Sequence, residues 1–367
     1  MGGLRAAVAI LAALFHLYAA GVSPFTALVQ RPVHLALMAT LAFLGVGVLT
    51  KRARPSGVAG EAGARSAAAR VGPAIDGLLI LAALFSAAYM VVQHEMLVRR
   101  TGAATTLDLV AGTLAVVVVL ELARRTTGWG LVTVALLALA YAVLGPWLPG
   151  VLAHRGYGPG RLIEQLYLST EGIWGVPLGV SADFVYLFVL FGALLEMAGG
   201  GALLIALAAR VAGRTRGGPA KTATVASALM GSLSGSAVAN VVTTGAITIP
   251  VMRRAGFQPH FAGAVEAAAS TGGQLMPPVM GAGAFILATW TGIPYARIAL
   301  AALVPALLYY AALYMAVHFR AGRMGIGATT RAETDPVLPR LHLLLPLAAI
   351  IALLARSEEH TSELQSL

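Results

Sequence analysis

The residues whose types and spacing could do chemistry lie between Arg214 and Gly292. The first part, Arg216–Arg254, carries Ser232, Ser234, Gly235 and Ser236 between two apolar limbs, with basic residues at both ends. The limb Thr222–Leu233 reaches only about 18 Å as a helix, at about 1.5 Å per residue. That is short of the ~30 Å hydrocarbon layer. The second limb ends at Ile249-Pro250. Two short limbs around a Ser/Gly tip, both ends basic, predict a re-entrant helical hairpin. Irregular backbone at membrane depth needs a cavity or a protein wall beside it. Hydroxyls at such a tip offer oxygen ligands to a cation, and the helix start near Ser236 offers partial positive charge to an anion. Close helix packing through small residues is the alternative reading of each serine.

The second part, Phe261–Trp290, sets Ser270-Thr271-Gly272-Gly273 and Pro277-Pro278 inside an otherwise apolar run. Doubled glycines and doubled prolines predict a discontinuous helix, with a simple kink as the alternative. Unwound membrane helices expose backbone carbonyls to ions. Glu266 lies one turn before the break. A carboxyl inside a membrane run is costly, so a coupling cation, a proton or substrate contact is expected of it; a packing pair with a hydroxyl or amide is the alternative. Glu266, with Thr243 and Thr244, is assigned to substrate or coupling. Asp76, Asp108, Glu121, Asp183 and Glu196 lie near span ends and read as interfacial.

Enzyme chemistry finds little support. Gly231-Ser-Leu-Ser-Gly235 has Leu233 where G-x-S-x-G needs serine. There is no Walker motif for ATP hydrolysis. The chain has no cysteine, which excludes disulfides and thiol chemistry. No catalytic residue and no cofactor is expected.

The elements that must position these residues are membrane helices. Of 367 residues, 58% are hydrophobic and 11% charged, against roughly 25% charged in soluble domains. Mean hydropathy is +0.83. Spans are predicted at Leu4–Val22, Pro32–Thr50, Gly72–Val92, Leu107–Leu122, Trp129–Leu148, Leu178–Met197 and Ile298–His318, with a weaker run at Leu341–Leu354. The runs are continuous, not alternating, so the fold class is an all-α polytopic bundle. The first run reads as a retained helix, not a cleaved signal peptide. Val151–Val176, with Arg161, Glu164, Tyr167 and Trp174, reads as a surface or interfacial helix with loops on the outer side, and Gly200–Gly213 as an interfacial arm or the tail of the preceding span.

The net charge of +10 is a topology signal and needs no nucleic-acid partner. Seventeen of the 25 Lys and Arg residues fall in five clusters: Lys51, Arg52, Arg54, Arg65 and Arg70; Arg124 and Arg125; Arg210, Arg214, Arg216 and Lys221; Arg253 and Arg254; Arg320, Arg323, Arg331 and Arg340. Alternate threading, with one segment entering and returning between Lys221 and Arg253, puts all five on one side. The opposite loops hold Arg31, Arg99, Arg100, Arg155, Arg161 and Arg297. The basic side is cytoplasmic, and with it the N-terminus.

These motifs resemble the large membrane subunit of tripartite ATP-independent periplasmic (TRAP) transporters. The carrying residues are Arg216-Gly-Gly-Pro-Ala-Lys221, Gly231–Asn240, Ile249-Pro250, Ala269–Gly273 and Pro277-Pro278. Tyr141, Gly145-Pro146 and Thr170–Gly175 look like the fused form, in which small and large subunits share one chain. The resemblance implies small-subunit-like helices over 1–126, scaffold and arm helices over 127–213, and the first half of the transport domain over 214–356. Residues 357–367 read as a non-native tail, and the chain is expected to be truncated near Arg356. A second hairpin and broken helix, absent here, would then follow. The resemblance implies a sodium-coupled elevator importer in the bacterial inner membrane. A periplasmic solute-binding protein, of the TRAP-associated immunogenic type in many fused members, would deliver an organic acid or amino acid. A hairpin carrier without a binding protein and a non-transporting scaffold are the alternatives. Ser234, Gly235, Ser236 and Asn240 would lie at the hairpin tip, and Ser270, Thr271, Gly272 and Gly273 at the break. Together these would bind Na⁺, whose hard character suits oxygen ligands.

The charge bias makes the first prediction. Single cysteines at Ser66 and Thr215 should resist an impermeant thiol reagent added outside intact cells. Labelling of both from outside would overturn the threading.

Overall fold

In lipid a backbone must bond to itself, so the long apolar runs have one local solution. The structure, a computed structural model, describes residues 2–45, 62–99, 104–327 and 337–353, without the side chains of 62–71, 98 and 99. Lys51, Arg52, Arg54, Arg100, Arg331 and the tail 357–367 lie outside the described residues. Within them, seven helices are long and apolar enough to cross a bilayer, and every regular element is helical. Large apolar side chains stand exposed along them, for example Leu4, Leu11, Leu78, Leu137 and Leu308. In water such faces would drive association; against acyl chains they cost nothing. The chain forms two compact units, Met1–Asp183 and Phe184–Leu367. The division falls inside the predicted span Leu178–Met197.

The first unit holds α1 (Gly2–Gly21), α2 (Ala27–Gly45), α3 (Ala62–Arg99), α4 (Thr106–Thr126), α5 (Trp129–Leu144), α6 (Pro159–Tyr167) and α7 (Val176–Val180). A π turn, Ser181–Val185, joins α7 to α8 (Tyr186–Met197). Small residues let α4 meet its neighbours closely. A Cβ on Gly112 would sit 2.3 Å from Ile163 Cγ2. Tyr167 and Trp174, in the segment read as a surface or interfacial helix with loops, are fully buried with Met90, Ala111 and Ala115. The Tyr167 hydroxyl donates to the Ser86 carbonyl at 2.6 Å.

Of the acidic residues near span ends, Asp183 and Glu196 are exposed, whereas Asp76, Asp108 and Glu121 are drawn into the unit. Asp108 is buried and closes a capping box with Thr105. It also accepts from the Tyr89 hydroxyl at 2.5 Å. Arg125, also buried, bridges Asp76 at 2.7 Å and Glu121 at 2.7 Å, and its guanidinium lies over the Phe43 ring. Asp183 accepts from Gln30 at 2.7 Å. Asp76, Asp108 and Glu121 have each found a polar partner, as burial demands.

The second unit holds α8, α9 (Gly200–Ala212), α10 (Gly218–Ser234), α11 (Ala237–Arg254), α12 (Pro259–Gly272), α13 (Ala282–Thr291) and α14 (Tyr295–Arg323). A 3₁₀ turn, Leu338–Leu344, opens the last apolar helix, which ends at Leu353. α9 is a helix in its own right. Gly199, left-handed at φ 93°, ends the preceding one. Leu203, Leu204, Ala206 and Ala208 of α9 are buried, and the helix packs on α10. The hairpin limbs are longer than the apolar pattern indicates, 17 and 18 residues, because Pro219 starts α10 within its basic flank and α11 runs through Pro250 to Arg254. At about 1.5 Å per residue, each is still only about 26 Å long.

Candidate functional site

The hairpin turns on two residues. α10 ends where Gly235 takes a left-handed conformation, φ 59°, and its N–H bonds the Gly231 carbonyl at 2.9 Å. Ser236 then caps α11, its hydroxyl accepting from Ala239 N–H at 3.3 Å. One turn chemistry thus closes one helix and opens the next.

The helix break begins later than the Gly-Gly pair suggests. Ser270 and Thr271 complete the last turn of α12, Gly272 and Gly273 keep helical φ and ψ, and a 3₁₀ turn runs to Leu275. Glycine permits unwinding but does not compel it. The irregular link, a turn over Pro277–Val279 followed by Met280 in the left-handed region at φ 57°, ends at Gly281, which caps α13.

Tip and break meet backbone to backbone. A Cβ on Gly231 would lie 2.4 Å from Gly273 Cα, and one on Gly235 would lie 1.9 Å from the Met280 carbonyl oxygen. Val279 N–H donates to the Ser232 carbonyl at 3.1 Å. Three tyrosines that sequence reasoning passed over hold the carbonyls on either side of the break. Tyr309 and Tyr310 donate to Ala268 and Ala269 at 2.8 and 2.7 Å. Tyr295 lies within reach of the Pro278 and Val279 carbonyls.

Beneath this contact is a polar cluster. Glu266 is 0% exposed. Its Oε1 accepts from Ser227 at 2.9 Å, from Ser270 at 3.2 Å and from Thr244; Thr248 donates to Oε2. Asn240, also buried, donates to the Ser227 carbonyl at 2.8 Å and touches the cluster through Thr244. Ser227 and Thr248 were not singled out from sequence. The Thr244–Thr248 and Glu266–Ser270 spacings of four residues, which share a helix face, were the available signal.

The residues assigned to a cation site, and Thr243 and Thr244 assigned to substrate or coupling, divide among several settings. Asn240 and Ser270 belong to the Glu266 cluster, as does Thr244. Gly235, Gly272 and Gly273 shape the tip and the break. Ser234, Ser236 and Thr243 line a cleft of about 200 Å³, together with Glu196, Gly192 and Gly201. The Ser234 hydroxyl accepts from Ser236 N–H at 3.4 Å, and Thr243 donates to the Ala239 carbonyl. Thr271 is exposed and donates back to Ala267 at 2.8 Å.

Residues 114–356 match the family described as "Tripartite ATP-independent periplasmic transporter, DctM component". The chain belongs to that family. It is a TRAP permease chain and, with its membrane-length helices, a multi-pass inner-membrane protein. The C4-dicarboxylate TRAP transporter large permease protein DctM of Pseudomonas aeruginosa is 32% identical over 156 residues, 42% of this chain and 34% of the relative. The Vibrio cholerae protein of the same description is 33% identical over 197 residues, 51% of this chain and 43% of the relative. The 2,3-diketo-L-gulonate TRAP transporter large permease protein YiaN of Escherichia coli is 26% identical over 150 residues, 41% of this chain and 35% of the relative. The chain thus spans less than half the length of these relatives.

The tip of this TRAP permease chain should tolerate no side chain at Gly235. Gly235→Ala combines a left-handed backbone with overlap on Met280, and should cost at least about 2 kcal/mol. Gly283→Ala meets nothing within 4 Å in α13 and should be neutral or stabilising by up to about 1 kcal/mol. Thermal unfolding in detergent compares the two.

Proposed function

We propose that this chain is the permease component of a secondary, sodium-coupled importer that receives a small organic acid or amino acid from a periplasmic binding protein. The observation that carries the reading is the seating of the hairpin tip on the break, Gly231 against Gly273 and Gly235 against Met280. A turn and an unwound link brought together expose two helix ends and several carbonyls to one place. That is the arrangement that lets a membrane protein bind a small ion without a fixed buried charge.

On this reading Na⁺ binds where tip and break meet. Carbonyls near Gly235, Gly272 and Gly273 are the first ligands, with the Ser234, Ser236, Ser270 and Thr271 hydroxyls and the Asn240 amide as further oxygens after rotation from the bonds described above. The start of α11 behind Ser236 faces the cleft with Thr243, so an anionic substrate there would meet a positive helix end. Membership of the TRAP family and the names of the relatives support an organic acid as cargo. The small-subunit-like helices, α1 to α4, would serve as scaffold. The basic clusters support a cytoplasmic N-terminus.

The test is uptake by proteoliposomes carrying the full-length permease with its binding protein, using radiolabelled succinate and glutamate as probes. Inward Na⁺ should drive accumulation of one of them. Ser236→Ala should raise the sodium concentration for half-maximal uptake severalfold while binding-protein docking is kept. Sodium dependence unchanged by Ser236→Ala would make the tip a packing motif. Uptake indifferent to both sodium and the binding protein would overturn the importer reading.

A further inference from the structure

At the end of the second unit remote from the hairpin tip, the start of α10 meets the end of α14 and the turn between α11 and α12. A Cβ on Gly217 would lie 2.7 Å from Ala321 Cβ and 3.6 Å from Phe257 Cζ. A Cβ on Gly322 would lie 3.2 Å from Arg216 Nη1. Arg216 is thereby set against the last turn of α14, which carries Arg320 and Arg323. The Arg320 guanidinium lies over the Phe261 ring of α12, 5.7 Å from its centroid. Among the described residues of this unit, the acidic side chains are Glu196 and Glu266. Glu196 lines the cleft beside the tip, and Glu266 is held by hydroxyls. No ion pair among the described residues reaches the basic end.

Two of these cations go beyond what a helix end or a topology signal accounts for. A helix C-terminus favours arginine, which suffices for Arg323 in α14 and for Arg253 and Arg254 in α11. Lys221 is different. It is 2% exposed, and it stands in the first turn of α10, where the partial charge of the helix is itself positive. As an ammonium it has three donors and no acceptor. They meet neutral groups: His318 Nδ1 at 3.0 Å, Thr215 Oγ1 at 3.3 Å and the face of Tyr314, 4.3 Å from the centroid. Arg320 Nε is buried and has no hydrogen-bond partner among the described residues. Buried charge with neutral partners alone is costly, and an anion at this end would offset the cost.

The surface beside the cluster indicates which anion. Leu308, Met315 and Phe319 of α14 are exposed apolar side chains. Their spacings of seven and four residues put them on one helix face, and four residues further that face reaches Arg323. An acyl chain can lie along such a stripe, and a phosphate at its end meets guanidinium groups that suit its oxygens. Free phosphate would use only the second feature.

We propose that Arg216, Arg320 and Arg323, with the buried charge of Lys221 near them, bind the phosphate headgroup of an anionic phospholipid whose acyl chain lies along Leu308, Met315 and Phe319. The site depends on neither the cargo nor the coupling ion of the importer.

Native mass spectrometry of the 367-residue chain, released from dodecyl maltoside, reads it directly. Dioleoyl phosphatidylglycerol should bind at a concentration at least about tenfold below that of dioleoyl phosphatidylcholine. Arg216→Gln and Arg320→Gln should each weaken phosphatidylglycerol binding about fivefold, which is about 1 kcal/mol per basic residue converted at about 1.4 kcal/mol per tenfold. Neither should change phosphatidylcholine binding. Arg297→Gln, in the first turn of α14 at its other end, should leave phosphatidylglycerol binding as it is. Equal binding of the two lipids would overturn the proposal. So would an Arg297→Gln loss as large as that of Arg216→Gln, which would make the attraction a diffuse charge effect. Displacement of the lipid by excess inorganic phosphate would make this a soluble-anion site and defeat the lipid assignment. Should Arg320→Gln not fold, the exposed Arg216 and the comparison of lipids on the wild type decide it.

Discussion

The second unit depends on one constraint: two stretches of irregular backbone must shield each other. A turn at Gly235 and an unwound link at Met276–Gly281 each leave main-chain groups without helical partners. Alone in hydrocarbon, each would cost several kcal/mol per group. Placed together, they share the bond from Val279 to Ser232, and glycines at 231, 235 and 273 let the backbones approach without side chains between them. The tyrosines of α14 and the cap at Ser236 satisfy further groups. The packing of α10, α11, α12 and α14 around this contact follows from the need to keep it covered.

That contact also sets the chemistry. The cation site proposed there, assembled from carbonyls and helix ends, would hold charge reversibly, since nothing in it is permanently ionic. Glu266 lies one helical turn before the break, held by the Ser227, Thr244, Thr248 and Ser270 hydroxyls. The same small residues that permit close packing make both features possible. Gly245 lies against Glu266, and Gly231 against Gly273.

Much of this is legible in the sequence. The spans follow from apolar runs, and the hairpin and break from serine, glycine and proline at fixed places. What is not legible depends on direction and on partners far along the chain. The composition around Glu266 shows a costly carboxyl, but only the fold brings Ser227 and Thr248 to it from two other helices. Ser270 and Thr271 are neighbours in sequence, yet one hydroxyl turns inward to Glu266 and the other outward. The Gly-Gly pair suggests the start of unwinding. In the fold Gly272 stays helical, and Tyr309 packs where its side chain would be, 2.4 Å from a Cβ. Asp108 and Arg125 do sit near span ends, but their burial requires Tyr89, Asp76 and Phe43, which no local pattern identifies.

The most direct measurement is a cross-link across the contact itself. The chain has no cysteine, so Ser232→Cys with Val279→Cys introduces a single pair at residues already joined by a 3.1 Å backbone hydrogen bond. Mild oxidation of the double variant in membranes should form an intramolecular disulfide in high yield, read by mass spectrometry of the peptides. A Gly283→Cys partner for Ser232→Cys should give much less. Absence of the bridge between positions 232 and 279, or equal yield from both pairs, would contradict the seating of the hairpin tip on the break.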